Sequence, residues 1–145
     1  LAVVAIASPA YAEQYLDLSA AQKRAFPAAT RFAEQGTRVW KAEAGDKVLG
    51  LFVLDHVIGK HLYIDYAVAL DPAGRVSRVD ILEYRESYGG EVKDSGWLAQ
   101  FVGKTAASPL AVGQDIRNIS GATLSSHHLT EGVKRIVAAY GSRAR

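Results

Sequence analysis

Hydrophobic positions change period twice along the chain. From Leu18 to Gln35 they recur at helical spacing. Ser19 caps a first helix running to Phe26, Pro27 breaks it and suits the first position of a second turn, and Phe32 points back to the core before Gly36 ends the stretch. From Thr37 the period shortens to two. Arg38-Val39-Trp40-Lys41-Ala42-Glu43 alternates, Ala44-Gly45-Asp46 turns, and Val48 to Leu54 is an unbroken apolar run between turn residues, which predicts a buried strand. After Ile58-Gly59-Lys60, the residues Leu62, Ile64, Tyr66, Val68 and Leu70 share one face, with His61, Tyr63 and Asp65 on the other. Asp71-Pro72-Ala73-Gly74 is a hairpin turn, Pro pre-setting φ at its second position, and Val76 to Tyr84 returns as the antiparallel partner.

The helical period comes back near the C-terminus. Leu129, Val133, Ile136, Val137 and Tyr140 line one face of a long helix. Between sheet and helix, Ser95 to Lys104 fits a short helix in which Trp97 and Phe101, at i,i+4, bury together. Residues 105–113 read as a loop. The pattern predicts an α+β fold: a curled antiparallel sheet packed by a long C-terminal helix and short helices. Residues 13–36 form a helical segment ahead of a main domain at 37–145.

Composition narrows the chemistry. The 145 residues suffice for one domain with a real core, and an apolar content of 49% with 22% charged residues is that of a globular protein. Seventeen basic and 15 acidic residues, spread along the chain, give a net charge of +2 and no basic cluster for nucleic acid. There is no cysteine, which excludes disulfides, iron–sulfur ligation and thiolate zinc sites. The paired His127 and His128 are no metal site by themselves, because helix neighbours point about 100° apart. Ser125, Ser126, His127 and His128 do not make a hydrolase either: no strand-elbow glycine pattern surrounds the serines. Leu1 to Ala7 is apolar and uncharged, followed by Ser8-Pro9 and Ala10-Tyr11-Ala12. It reads as the end of a secretory h-region with an A-x-A cleavage site, so export to the periplasm with cleavage near Ala12 is expected.

Two stretches carry candidate chemistry. The first is Ser120-Gly121-Ala122-Thr123-Leu124-Ser125-Ser126, a hydroxyl-rich turn opening the last helix. Ser120 is a natural N-cap, Gly121 permits close backbone approach, and Thr123 falls in the first turn, so the segment suits an anion. On the residues alone the plainer reading, a capped helix and nothing more, is the stronger one. The second is Tyr84-Arg85-Glu86-Ser87-Tyr88-Gly89-Gly90, where two glycines at a strand exit allow a ligand to approach. A plain loop is the other reading.

Both stretches resemble the FMN-binding domain family found in subunits of bacterial sodium-pumping and Rnf-type electron-transport complexes. Ser120-Gly121-Ala122-Thr123 is similar to that family's attachment motif, and Glu86-Ser87-Tyr88-Gly89 to its Glu-Thr-Pro-Gly-type segment, with the elements in the family's order from about Val48 to Tyr140. The resemblance implies an exported electron-transfer flavoprotein, with FMN joined through a phosphoester to Thr123 by a separate flavin transferase. Ser120, Gly121, Ala122, Leu124 and Ser125 would surround the phosphate, and Glu86, Ser87, Tyr88, Gly89 and Gly90 would face the rings. Glu86 would bond a polar ring edge, and Tyr88 or Trp97 would cover an aromatic face. A membrane or periplasmic redox partner is implied too. One departure stands out: Arg117 holds the place of an Asp three residues before the motif's Ser, with Asp115 two places earlier. Arg117 offers the phosphate a guanidinium fork instead. Two alternatives stay open, a non-covalent FMN reductase of a small oxidant such as a quinone or ferric chelate, and a flavin-free periplasmic interaction module.

Overall fold

The computed structural model describes residues 13–14, 16–86, 92 and 94–145. The stretch 1–12 and Ser87, Tyr88, Gly89 and Gly90 lie outside the described residues. Among the described residues six strands, β1 (Glu13–Gln14), β2 (Arg31–Gly36), β3 (Val39–Ala44), β4 (Lys47–Ile58), β5 (Tyr63–Leu70) and β6 (Val76–Tyr84), form one sheet in the order β1-β6-β5-β4-β3-β2. Every pair is antiparallel. From β2 onward each strand pairs with the next in sequence, so short hairpins suffice to build the sheet. The helices are α1 (Leu18–Ala25), α2 (Ser95–Leu98), continued by a 3-10 turn at Ala99–Phe101, and α3 (Thr123–Tyr140). The α+β class expected from the pattern is the one observed.

Strand alternation divides the core into two layers. On one face Leu51, Val53, Ile64, Tyr66, Val68 and Leu70 pack with Leu129, Val133, Ile136 and Val137 of α3 and with Trp97 and Phe101. On the other, Phe52, Ala67, Ala69 and Leu82 meet Ala21 of α1, with Phe26 closing the layer. The apolar run in β4 is continuous because its residues serve both layers.

The structure corrects the reading of the N-terminal stretch. The first helix is there, but its cap is Asp17, whose carboxylate accepts the Ala20 N–H at 2.8 Å. Ser19 lies inside the first turn. After Pro27 the chain does not resume a helix: residues 31–36 are β2, an edge strand with Phe32 opposite Ala42. Only Phe32 and Ala33 there are apolar, so no alternating pattern marks the strand, and its pairing with β3 decides the conformation.

Candidate functional site

Thr123 opens α3, Glu86 follows the end of β6, and both line one cavity. Its volume is ≈ 260 Å³, and Lys60, Gly121, Ala122, Leu124 and Ser125 complete its described lining. A larger space of ≈ 540 Å³ runs along β6 between α1 and α2, but its charged groups are already engaged: Arg24 and Arg78 pair with Asp80, and Asp94 caps α2 through the Gly96 N–H. The smaller one joins the two stretches singled out in the sequence.

The helix start is built to leave donors open. Ala122 is the N-cap of α3 and makes no side-chain cap bond. The first-turn N–H groups therefore have no capping oxygen, and they sit at the positive end of the helix dipole. This corrects the expectation for Ser120. That residue lies in the preceding turn, which closes with the Ala122 N–H on Ile119 O at 2.9 Å, so its hydroxyl is too early to cap. Gly121 holds φ +85°, a left-handed conformation, with nothing within 4 Å of where a side chain would project. The Thr123 hydroxyl accepts from Asn118 Nδ2 at 3.4 Å in an exposed position. The hydroxyls deeper in the helix are committed: Ser126 Oγ donates to Ala122 O at 2.8 Å and Thr130 Oγ1 to Ser126 O at 2.7 Å.

Glu86 is buried, and its carboxylate turns toward the β4–β5 turn. It accepts the N–H of Lys60 at 2.9 Å, that of Leu62 at 3.0 Å and that of His61. Burial alone would raise its pKa, but these three main-chain donors outweigh it and hold the carboxyl below its ordinary range. Ser125, also buried, stands close by. A side-chain carbon added at Gly59 would lie 3.0 Å from Glu86 Oε2 and 3.1 Å from Ser125 Oγ.

Three further residues sit away from this cavity. Trp97 is buried against Phe101, ring centroids 5.3 Å apart, and its indole N–H donates to Arg117 O at 2.8 Å. Enclosed in the core, it does not line the cavity. Arg117 places its own N–H on Gln100 Oε1 at 2.8 Å and its Nε on the same atom at 3.3 Å, again outside the lining. Asp115 accepts from Leu110 N at 3.1 Å and Ala111 N at 3.0 Å and pairs with Lys104, so it fastens a loop. Among the described residues no three His, Cys, Asp or Glu side chains are grouped to hold a metal ion.

The structure brings in two residues that sequence reasoning passed over, Gly59 and Lys60, and gives His128, weighed there only as a metal or hydrolase residue, a place beside them. The His128 Nδ1 lies 2.7 Å from Ile58 O and 3.0 Å from Gly59 O. Only the glycine of a strand-to-strand turn hinted at them.

The FMN-binding domain family matches residues 59–138, a span that begins at Gly59 and runs through most of α3. The chain belongs to the FMN-binding domain family. No curated protein matches it. Among solved structures, the crystal structure of Shewanella oneidensis NqrC superposes with a TM-score of 0.53 at 18% identity, covering 88% of this chain and 72% of that one. At that identity the likeness is one of fold. The cavity suits part of the FMN of such a domain. Small-molecule pockets run from about 300 Å³ upward, and a space of ≈ 260 Å³ beside an uncapped helix start fits a phosphate and the adjoining sugar chain. Thr123, Gly121 and the first-turn amides would hold that end.

Proposed function

We propose that this FMN-binding domain is an exported electron carrier whose FMN is joined through its phosphate to Thr123. The observation that carries the proposal is the shared cavity: Thr123, on a helix start without a side-chain cap, lines the same space as Glu86, the described end of the second stretch that resembles the family. When bound, FMN supplies one- and two-electron chemistry; the protein supplies position and electrostatics. The amides of α3 stabilise the phosphate charge, and the open side of Gly121 admits it without collision. Attachment needs a flavin transferase. The Thr123 Oγ1–P bond forms, the P–O bond to the donor's leaving group breaks, and the hydroxyl proton departs. A tether suits an exported protein, since a dissociated cofactor would be diluted outside the cytoplasm, and the apolar stretch ending in Ala10-Tyr11-Ala12 supports export. The electron donor or acceptor would be a membrane or periplasmic redox protein.

A specific observation favours a second reading, FMN held without a covalent bond and passing electrons to a small oxidant. Arg117 stands where the motif's acid is expected, and Asp115 is engaged by Leu110, Ala111 and Lys104. Intact mass and fluorescence after denaturation decide between the two. Co-expressed with a flavin transferase, the wild type should keep its flavin through denaturation and filtration, and Thr123→Val should lose it while remaining folded. Flavin that washes out of the wild type favours the non-covalent reading, and a colourless wild type favours the flavin-free module.

A further inference from the structure

We infer that a separate cavity, beside the C-terminal half of α3, binds a small organic carboxylate between the guanidinium groups of Arg38 and Arg135. It measures ≈ 260 Å³. Arg135 lies about 18 Å along the helix axis from Thr123, at 1.5 Å per residue. The inference does not rest on the FMN reading.

Buried Val39, Val53 and Ile136 give the cavity an apolar floor. Two exposed arginines join it, Arg38 from the corner of the β2–β3 hairpin and Arg135 from α3. Asp55 of β4 is the one anion in the described lining, so two cations against one anion leave a net charge of +1. Asp55 Oδ2 accepts the hydroxyl of Tyr66 at 2.7 Å and stands 3.6 Å from Arg135 Nη2. The second contact is an ion pair too long for a hydrogen bond. With the Arg135 side chain 61% exposed it is a weak one, and it leaves the N–H groups of the fork for a ligand. Arg38 donates one N–H, from Nη1, to His56 Nδ1 at 2.9 Å. A guanidinium only donates, so Nδ1 accepts and the ring is neutral. The charge of Arg38 is thus held in place and not cancelled.

The backbone of Arg38 marks it as more than a hairpin corner. Its φ is +62°, in the left-handed region, where hairpins take glycine or asparagine and other side chains are disfavoured. Its carbonyl accepts the Leu54 N–H at 2.9 Å, which holds the corner against β4. That bond is made by the main chain, so glycine would make it as well. A strained arginine at such a place is kept for what its side chain does. Two guanidinium forks around a net single positive charge match a planar, singly charged carboxylate. A phosphate, at about −1.5 to −2 near neutrality, would bring excess negative charge up to Asp55. The volume admits an acid of a few carbons.

The test titrates the purified chain with sodium propionate and, separately, with sodium phosphate, at an ionic strength held constant with sodium chloride. Amide and arginine Nε resonances are followed by NMR. Propionate should give saturable shifts at residues 38, 54 and 135. Arg38→Gly should weaken propionate by about tenfold, the scale of one charge-assisted contact. It should still melt at much the same temperature, because relief of the strained corner offsets the freer unfolded chain. Arg135→Gln should weaken propionate to a similar extent and leave the melting temperature unchanged. Wild-type shifts that never saturate, or equal propionate affinities in wild type and either variant, overturn the site. Phosphate bound as tightly as propionate overturns the carboxylate assignment. An Arg38→Gly protein that melts well below wild type and keeps its propionate affinity makes Arg38 a structural residue, and overturns the inference too. Neither arginine lines the cavity at the start of α3, so a failure here leaves the FMN reading standing, and flavin binding enters none of these outcomes.

Discussion

Gly132 lies in the interior of α3, where alanine would be the better helix former by about 1 kcal/mol. Its neighbour explains the choice. A side-chain carbon there would collide with Tyr66 Oη and stand 2.9 Å from Val57 Cγ1. The phenol cannot move aside easily, being fully buried and donating to Asp55 Oδ2 at 2.7 Å. Burial, reinforced by that bond, raises its pKa above the usual tyrosine range. Gly132→Ala should therefore destabilise by about 1–3 kcal/mol, as overpacking does, against the helix preference. Tyr66→Phe should cost about 1 kcal/mol for the lost hydrogen bond, and in that background Gly132→Ala should cost less. Urea denaturation of the four proteins checks the cycle; strict additivity would mean the phenol oxygen is not the obstacle. At this scale the sequence was partly legible. Thr123 in the first turn of α3 and the Trp97–Phe101 pair could be seen from spacing. That Ala122 and not Ser120 borders the helix could not, because it depends on the left-handed Gly121 shifting the start by two residues.

Elements show why some of the fold was readable and some was not. β3 to β6 each carry enough alternating or continuous apolar residues to declare themselves, whereas β2, half-buried at best, takes its conformation from β3. The site depends on what sequence shows least: which turn a buried carboxylate faces. Glu86 was readable as a site residue, yet the three amides it bonds lie 24 to 26 residues earlier in the chain. Its folded-state pKa lies below the ordinary carboxylate value, so its contribution to stability is complete above that value and is lost as pH falls through the lowered one. The stability gap between wild type and Glu86→Gln should accordingly be constant near neutrality and shrink in acid. Thermal denaturation from pH 7 downward measures it, and a gap that widened in acid would contradict the assignment. Ser120→Ala, by contrast, removes a hydroxyl that caps nothing and should stay within about 0.5 kcal/mol of wild type.

Across the whole molecule the sheet separates two tasks. One face carries α3 and thereby the proposed flavin end; the other is closed by α1 and Phe26 over Phe52, Ala67, Ala69 and Leu82. Phe52 is fully buried in that second layer, with Trp40 at 5.9 Å, and nothing in it lines the cavity at the start of α3. Truncating Phe52 to alanine should cost about 3–5 kcal/mol, a large share of a small domain's stability. Because the damage lies on the far face, the surviving folded molecules should bind FMN as tightly as wild type. A ligand that binds only the folded state at 100 times its dissociation constant adds about 2.7 kcal/mol. FMN without a covalent link should thus restore much of the lost melting temperature in Phe52→Ala. Melting curves over a range of FMN concentrations give both the affinity and the rescue. Were Phe52→Ala itself to weaken FMN, the α1 layer would be shaping the flavin site through the sheet, and the two faces would have to be treated as one cooperative unit.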